Sequence, residues 1–122
     1  MKLQVFFLLS IISFLFSCSN KVESIDVKNL KTPCECASAA EIVIGEQLSI
    51  REETYGKEFK DLDTSKLNPR IRNYTKKQSE IIKHCTGKLA IGKCQEWIKI
   101  QEKLRKRNDE IEKKAQEEAL KK

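Results

Sequence analysis

Two pairs of cysteines constrain this 122-residue chain more than any other feature: Cys34 and Cys36, one residue apart, and Cys85 and Cys94, well downstream. Only 39% of the residues are hydrophobic and 7% aromatic, against 34% charged. So thin a core is marginal for a small domain, and covalent staples would make up the deficit. Disulfides require an oxidising compartment. The start of the chain supplies a route to one. Lys2 precedes an apolar run from Leu3 to Phe16, interrupted only by Gln4, Ser10 and Ser13. At about 14 residues the run is shorter than the ~20 that a membrane-crossing helix needs. Its layout is that of a secretory signal peptide.

The run closes on Leu15-Phe16-Ser17-Cys18, with an aliphatic residue three before the cysteine and a small one immediately before it. This ending resembles the lipobox of bacterial lipoproteins. The resemblance implies acylation of the Cys18 sulfur, removal of residues 1–17 as a signal peptide, and a lipid anchor on the new N-terminus. In lipoproteins of diderm bacteria a residue other than Asp after the cysteine commonly accompanies outer-membrane sorting, and Ser19 fits. The expected location is therefore the cell envelope, on the outer membrane facing the periplasm. Buried methylenes contribute about 0.8 kcal/mol each, so two or three acyl chains make the attachment essentially permanent. Consuming Cys18 leaves an even set of cysteines, which favours two disulfides over a free thiol.

Beyond the anchor, residues 18–31 read as a lipidated tether, with the Val22/Ile25/Val27 pattern open to a short strand or to clinging to the domain, and residues 32–122 as a disulfide-stapled helical domain. Thr32-Pro33-Cys34-Glu35 opens a helix, with Thr32 as cap, Pro33 at the first helical position and Glu35 completing a capping box. Ala37, Ala40, Ile44, Leu48 and Tyr55 then recur on one side, and Gly56 is a natural stop. Asn68-Pro69 opens a second helix, whose Ile71, Tyr74, Gln78, Ile81 and Cys85 follow in steps of three and four up to Gly87. A third helix runs from about Lys93 to the end, with Trp97, Ile98, Ile100 and Leu104 as its buried part. Beyond Leu104 the helix is carried by acid-then-base pairs four residues apart, such as Glu102/Lys106 and Glu110/Lys114.

The expected fold is all-α: a small three-helix up-down-up bundle with a long C-terminal helix. In that arrangement the start of the first helix, the end of the second and the start of the third share one pole. Cys34, Cys36, Cys85 and Cys94 fall at those places. Cys34 and Cys36 point about 200° apart around a helix, so they cannot easily bond each other. Two bridges from that pair to Cys85 and Cys94 are expected, with either assignment of partners.

Catalytic chemistry finds little footing. Gly87-Lys88-Leu89-Ala90-Ile91-Gly92-Lys93 matches the spacing of a phosphate-binding loop. That loop needs a strand before it and a Ser or Thr hydroxyl after it, whereas here a helix precedes it and Cys94 follows. Cys34, Cys36, His84, Cys85 and Cys94 lack the spacing of structural zinc sites, and oxidation removes thiolate ligands. No metal or other cofactor is called for. His84, the only histidine, suits the last turn of the second helix, where its charged form favours the dipole. The net charge of +6 is interleaved with acids and reads as a solvated surface; nucleic acid is not an expected partner.

These features point to a non-enzymatic structural or protein-interaction module on the membrane, whose partner is an envelope protein or the cell wall. A periplasmic inhibitor or immunity-type lipoprotein that blocks an enzyme is the alternative. An inhibitor would act without its anchor; a scaffold would not. The third helix, at about 45 Å, would outrun the second, at about 27 Å, from around residues 106–110. Asn108, Ile111, Ala115, Lys121 and Lys122 on that overhang are the expected interaction surface. Leu104, Asn108, Ile111 and Ala115 keep a four-three rhythm suited to a partner helix, including weak self-association.

Overall fold

The computed structural model describes residues 21–55, 57 and 59–121. The apolar run and Cys18 lie outside these residues, as do Gly56 and Lys122. The described chain is all-helical, with no strand. Three long helices carry it: α1 (Pro33–Thr54), α2 (Thr64–His84) and α3 (Trp97–Leu120). Short 3-10 turns at Val27–Asn29, Phe59–Asp61, Gly87–Leu89 and Ile91–Lys93 fill the connections.

The start of α1 is the one its sequence dictates. Thr32 Oγ1 accepts the Glu35 amide at 3.1 Å. The Glu35 carboxylate reaches back to accept the Lys31 amide at 2.7 Å, one residue before the position a standard capping box uses. Two orphan donors at the helix start are thereby satisfied. α2 begins earlier than its Asn68-Pro69 signature suggests. The Asp63 carbonyl accepts from Lys66 and Leu67 at 3.2 and 3.1 Å, so Pro69 lies inside the helix. Proline near a helix start costs only one backbone donor. The Ser65 carbonyl that loses it sits on an exposed residue, where water can serve instead.

Helix directions follow from the cross-links. From α1 to α2, Cys36 meets Cys85, Gln47 meets Gln78 and Glu53 meets Arg70, so these helices run antiparallel. From α1 to α3, Cys34 meets Cys94, Glu41 meets Lys103 and Arg51 meets Glu112, so those run parallel. α1 is the shared partner: α2 and α3 both pack on it and make little direct contact with each other. This explains its composition. A helix covered on several sides cannot carry one apolar stripe, and Cys36, Ala37, Ala39, Ala40, Val43, Leu48 and Ile50 are all buried around α1. Small residues there let the neighbouring backbones approach closely.

Residues 21–31 pack onto the helical domain, the alternative that their apolar pattern left open. Val22 is only 3% exposed and packs in one cluster with Cys36, Ala39, Val43, Ile81 and Cys85, with Ile25, Val27 and Leu30 against it. Two hydrogen bonds from α2 hold the segment: Lys77 Nζ to the Ile25 carbonyl at 2.9 Å, and His84 Nε2 to the Leu30 carbonyl at 2.9 Å. An apolar residue every two or three positions, with backbone carbonyls to offer, covers a core that three helices leave open. Val22→Ala should therefore cost about 2 kcal/mol in urea denaturation; a free tether would show no change.

Candidate functional site

The cysteine pole is built by three helix boundaries. Cys34 and Cys36 occupy the first turn of α1, Cys85 caps the end of α2, and Cys94 ends the turn that leads into α3. Cys34 bonds Cys94 and Cys36 bonds Cys85, with Cα–Cα distances of 4.8 and 6.1 Å. Both expected bridges are thus present, and they nest without crossing in sequence. Helical geometry decides the assignment. Cys36 points inward, 0% exposed, toward the equally inward Cys85, while Cys34 is half-buried on the side of α3.

Glu96, in the turn before α3, places Oε2 at 3.3 Å from Cys34 Sγ and 3.5 Å from Cys94 Sγ. These three residues group their ligand atoms as a metal site would. Both sulfurs are spent in the bridge, however, which leaves a lone carboxylate to offer a cation. His84 is engaged too. A carbonyl can only accept, so the imidazole donates its Nε2 proton to Leu30 and ties the N-terminal segment to the end of α2.

The Gly87–Lys93 stretch is folded as two consecutive 3-10 turns. The amides of Leu89, Ala90, Lys93 and Cys94 bond the carbonyls of Thr86, Gly87, Ala90 and Ile91. A phosphate cradle works by leaving such amides free, and here they close turns. Gly87, at φ 59°, takes the left-handed conformation two residues past the Cys85 cap and opens the first of these turns. The sequence pattern carries the helix up to Gly87, whereas it ends at His84.

Part of the expected interaction surface on the third helix, Asn108, Ile111 and Ala115, is turned toward the chain itself. Asn108 accepts a hydrogen bond from Arg51 of α1. Ile111 is 4% exposed, and Ala115 is half-buried. Lys121 is exposed beyond the helix end, and Lys122 lies outside the described residues. The four-three rhythm of Leu104, Asn108, Ile111 and Ala115 is real, but the helix it fits is α1 of the same chain. The overhang was expected against α2; against the parallel α1, of 22 residues to 24 for α3, contacts persist to Glu112 at least. Ile98, expected in the core, is 69% exposed. Adjacent helical residues diverge by about 100°, and Trp97, Ile100 and Leu104 take the inward face.

Arg107 is the residue that sequence reasoning passed over in this seam. It donates to the Gly45 carbonyl at 3.1 Å and to Ser49 Oγ at 2.7 Å, and lies 3.7 Å from Glu52. A Cβ at Gly45 would stand 3.6 Å from the Arg107 guanidinium, an ordinary contact, so the approach does not depend on the glycine. Arg51 does the reciprocal job from α1, reaching Asn108, Glu112 and the Tyr55 ring. On the α2 side Glu53 grips Arg70 with both oxygens. That pairing, with help from Tyr74, raises the guanidinium pKa still further above its ordinary value. Nothing in the one-dimensional pattern separates these arginines from the surface cations around them.

No helix among the described residues is long and apolar enough to cross a membrane. Comparison with protein-family models, with curated proteins and with solved structures finds no match in any of the three.

Proposed function

We propose that the protein is a membrane-anchored envelope lipoprotein, acylated at Cys18, whose three-helix up-down-up bundle acts as a non-enzymatic structural or protein-interaction module. The observation that carries this reading is the accounting of the cysteines. Pairing Cys34 with Cys94 and Cys36 with Cys85 leaves Cys18 as the odd one of five. It stands where a lipobox places its acylated residue. An exported chain has good reason not to keep a spare thiol, because that thiol would exchange with the structural bridges.

The engagement of the reactive side chains supports a role played by surface rather than by chemistry. The sole histidine fastens the N-terminal segment, and four cysteines are bridged. The groove of about 610 Å³ between α1 and α3 is lined by charges of both signs, among them the Glu41–Lys103 pair and Arg107. Labelled palmitate fed to producing cells should enter the protein. Cys18→Ser should abolish the labelling and leave a precursor that retains residues 1–17. Label persisting in the variant would overturn the reading.

A further inference from the structure

α2 carries the charge imbalance of the molecule. Its ionic residues are Lys66, Arg70, Arg72, Lys76, Lys77 and Lys83 against one acid, Glu80. Arg70 is committed to Glu53, and Lys77 to the Ile25 carbonyl and Glu80. Arg72, Lys76 and Lys83 are different: all three are exposed and have no ionic partner among the described residues. They recur in steps of four and seven, so they form one ridge along the helix. One residue earlier at each step stand Ile71, Thr75 and Ile82, a parallel stripe without charge. Ile71 is 44% exposed and Ile82 59%. A chain that is 34% charged thus presents two bare isoleucines flanked by three unpaired cations.

The route of the chain says what lies opposite this face. Val22 is buried, and with Lys76, Lys77 and the acids Glu23 and Glu80 it lines a small cavity of about 240 Å³ beside α2. Cys18 is four residues earlier, a covalent reach of about 14 Å at most. An acyl chain on Cys18 would therefore hold the ridge within a helix diameter or two of the lipid headgroups. At such effective concentration even a weak surface attraction is realised.

Resting on the anchored-lipoprotein reading, we infer that the Arg72/Lys76/Lys83 ridge and the Ile71/Ile82 stripe of α2 form a docking face for the anionic surface of the membrane that carries the anchor. The cations lie against lipid phosphates and the isoleucines enter the headgroup boundary, as in interfacial helices. The groove between α1 and α3 is a poorer candidate for the same surface. Lys21 lines that groove, so the leash reaches it as well, but its Lys99, Lys103 and Lys106 are interspersed with Glu41, Glu46, Glu102 and Glu110, and Lys103 is already paired. The domain so held lies on the membrane with α2 down, rather than standing clear of it.

The test uses the processed protein extracted from producing cells, alongside the variant Arg72→Gln/Lys76→Gln/Lys83→Gln. Partition into a detergent phase reads the anchor. Both proteins should enter that phase, since the substitutions do not touch Cys18. Failure of the wild type to partition would remove the short leash and the proposal with it. Both are then mounted on vesicles of phosphatidylcholine, with or without a third of phosphatidylglycerol, and their amines are labelled with an impermeant reagent. Wild-type Lys76 and Lys83 should label about fivefold more slowly on the anionic vesicles, and high salt should restore the rate. Lys103 and Lys113 should label alike on both. In the variant, binding of the unanchored fraction to anionic vesicles should fall to the level seen on neutral ones. Equal labelling of Lys76 and Lys83 on both vesicles overturns the docking face while leaving the anchor standing. So does protection that appears only in whole envelopes, which would make the ridge a protein-binding surface.

Discussion

Replacing Cys36 and Cys85 together by serine should destabilise the domain by about 3–5 kcal/mol, the upper part of the range for a native bridge in a small exported domain. Cross-linking residues 49 apart restricts the unfolded chain strongly. The sulfurs also sit in the core: Cys36 is 0% exposed and Cys85 7%, among Val22, Ala39, Val43 and Ile81. Serine would leave two hydroxyls in that cluster, each in need of a partner. The same exchange at Cys34 and Cys94 should cost about 2–4 kcal/mol: the loop it closes is longer, 60 residues, and Cys94 is 3% exposed, but Cys34 is only half-buried and water can reach its replacement. Against a total stability of roughly 5–10 kcal/mol for a domain of this length, the first loss is severe. Urea denaturation of the two double variants measures the difference. Equal losses would mean that the inner bridge contributes only by cross-linking.

Truncating the chain after Arg107 should be nearly as damaging, by about 3 kcal/mol or more. The deletion removes Ile111, 4% exposed, and strips Arg51 of Asn108 and Glu112. Removing residues 117–122 should be almost neutral, since the described part of that stretch is wholly exposed. The step between these two truncations, read as a shift in denaturation midpoint, locates where α3 leaves α1. If both are neutral, the seam from Arg107 to Ala115 is not a packing surface, and it returns as a candidate for partner binding.

What the sequence made legible and what it hid have physical causes. Local signals worked well. The Thr32-Pro33-Glu35 start and the helix ends that gather four cysteines at one pole are short-range chemistry. The Asn68-Pro69 signature misleads because the helix starts about one turn earlier, at Thr64, on the Asp63 carbonyl and without a side-chain cap, and it tolerates Pro69 so near its start. α1 was half-read, for Cys36, Ala39, Val43 and Ile50 are small or β-branched residues spread around a helix that is covered on several sides. The C-terminal stripe reads as a seam in sequence, but sequence alone does not say that the parallel α1, nearly as long as α3, covers it. The Arg107 and Arg51 contacts were invisible: an arginine that bridges two helices reads the same as one that waves in solvent. The segment at Val22 and Ile25 carried an apolar pattern too short to separate a clinging strap from a tether.

The most direct test of the whole account is a non-reducing peptide map of the protein taken from its membrane. Cys34 and Cys36 share one tryptic peptide, so cleavage after Glu35, the residue between them, is needed to resolve the bridges. The account predicts an N-terminal peptide that begins at Cys18 and carries acyl chains, the Cys34 peptide joined to that of Cys94, and the Cys36 peptide joined to that of Cys85. A free or bridged thiol at Cys18, or a bond between Cys85 and Cys94, would contradict it.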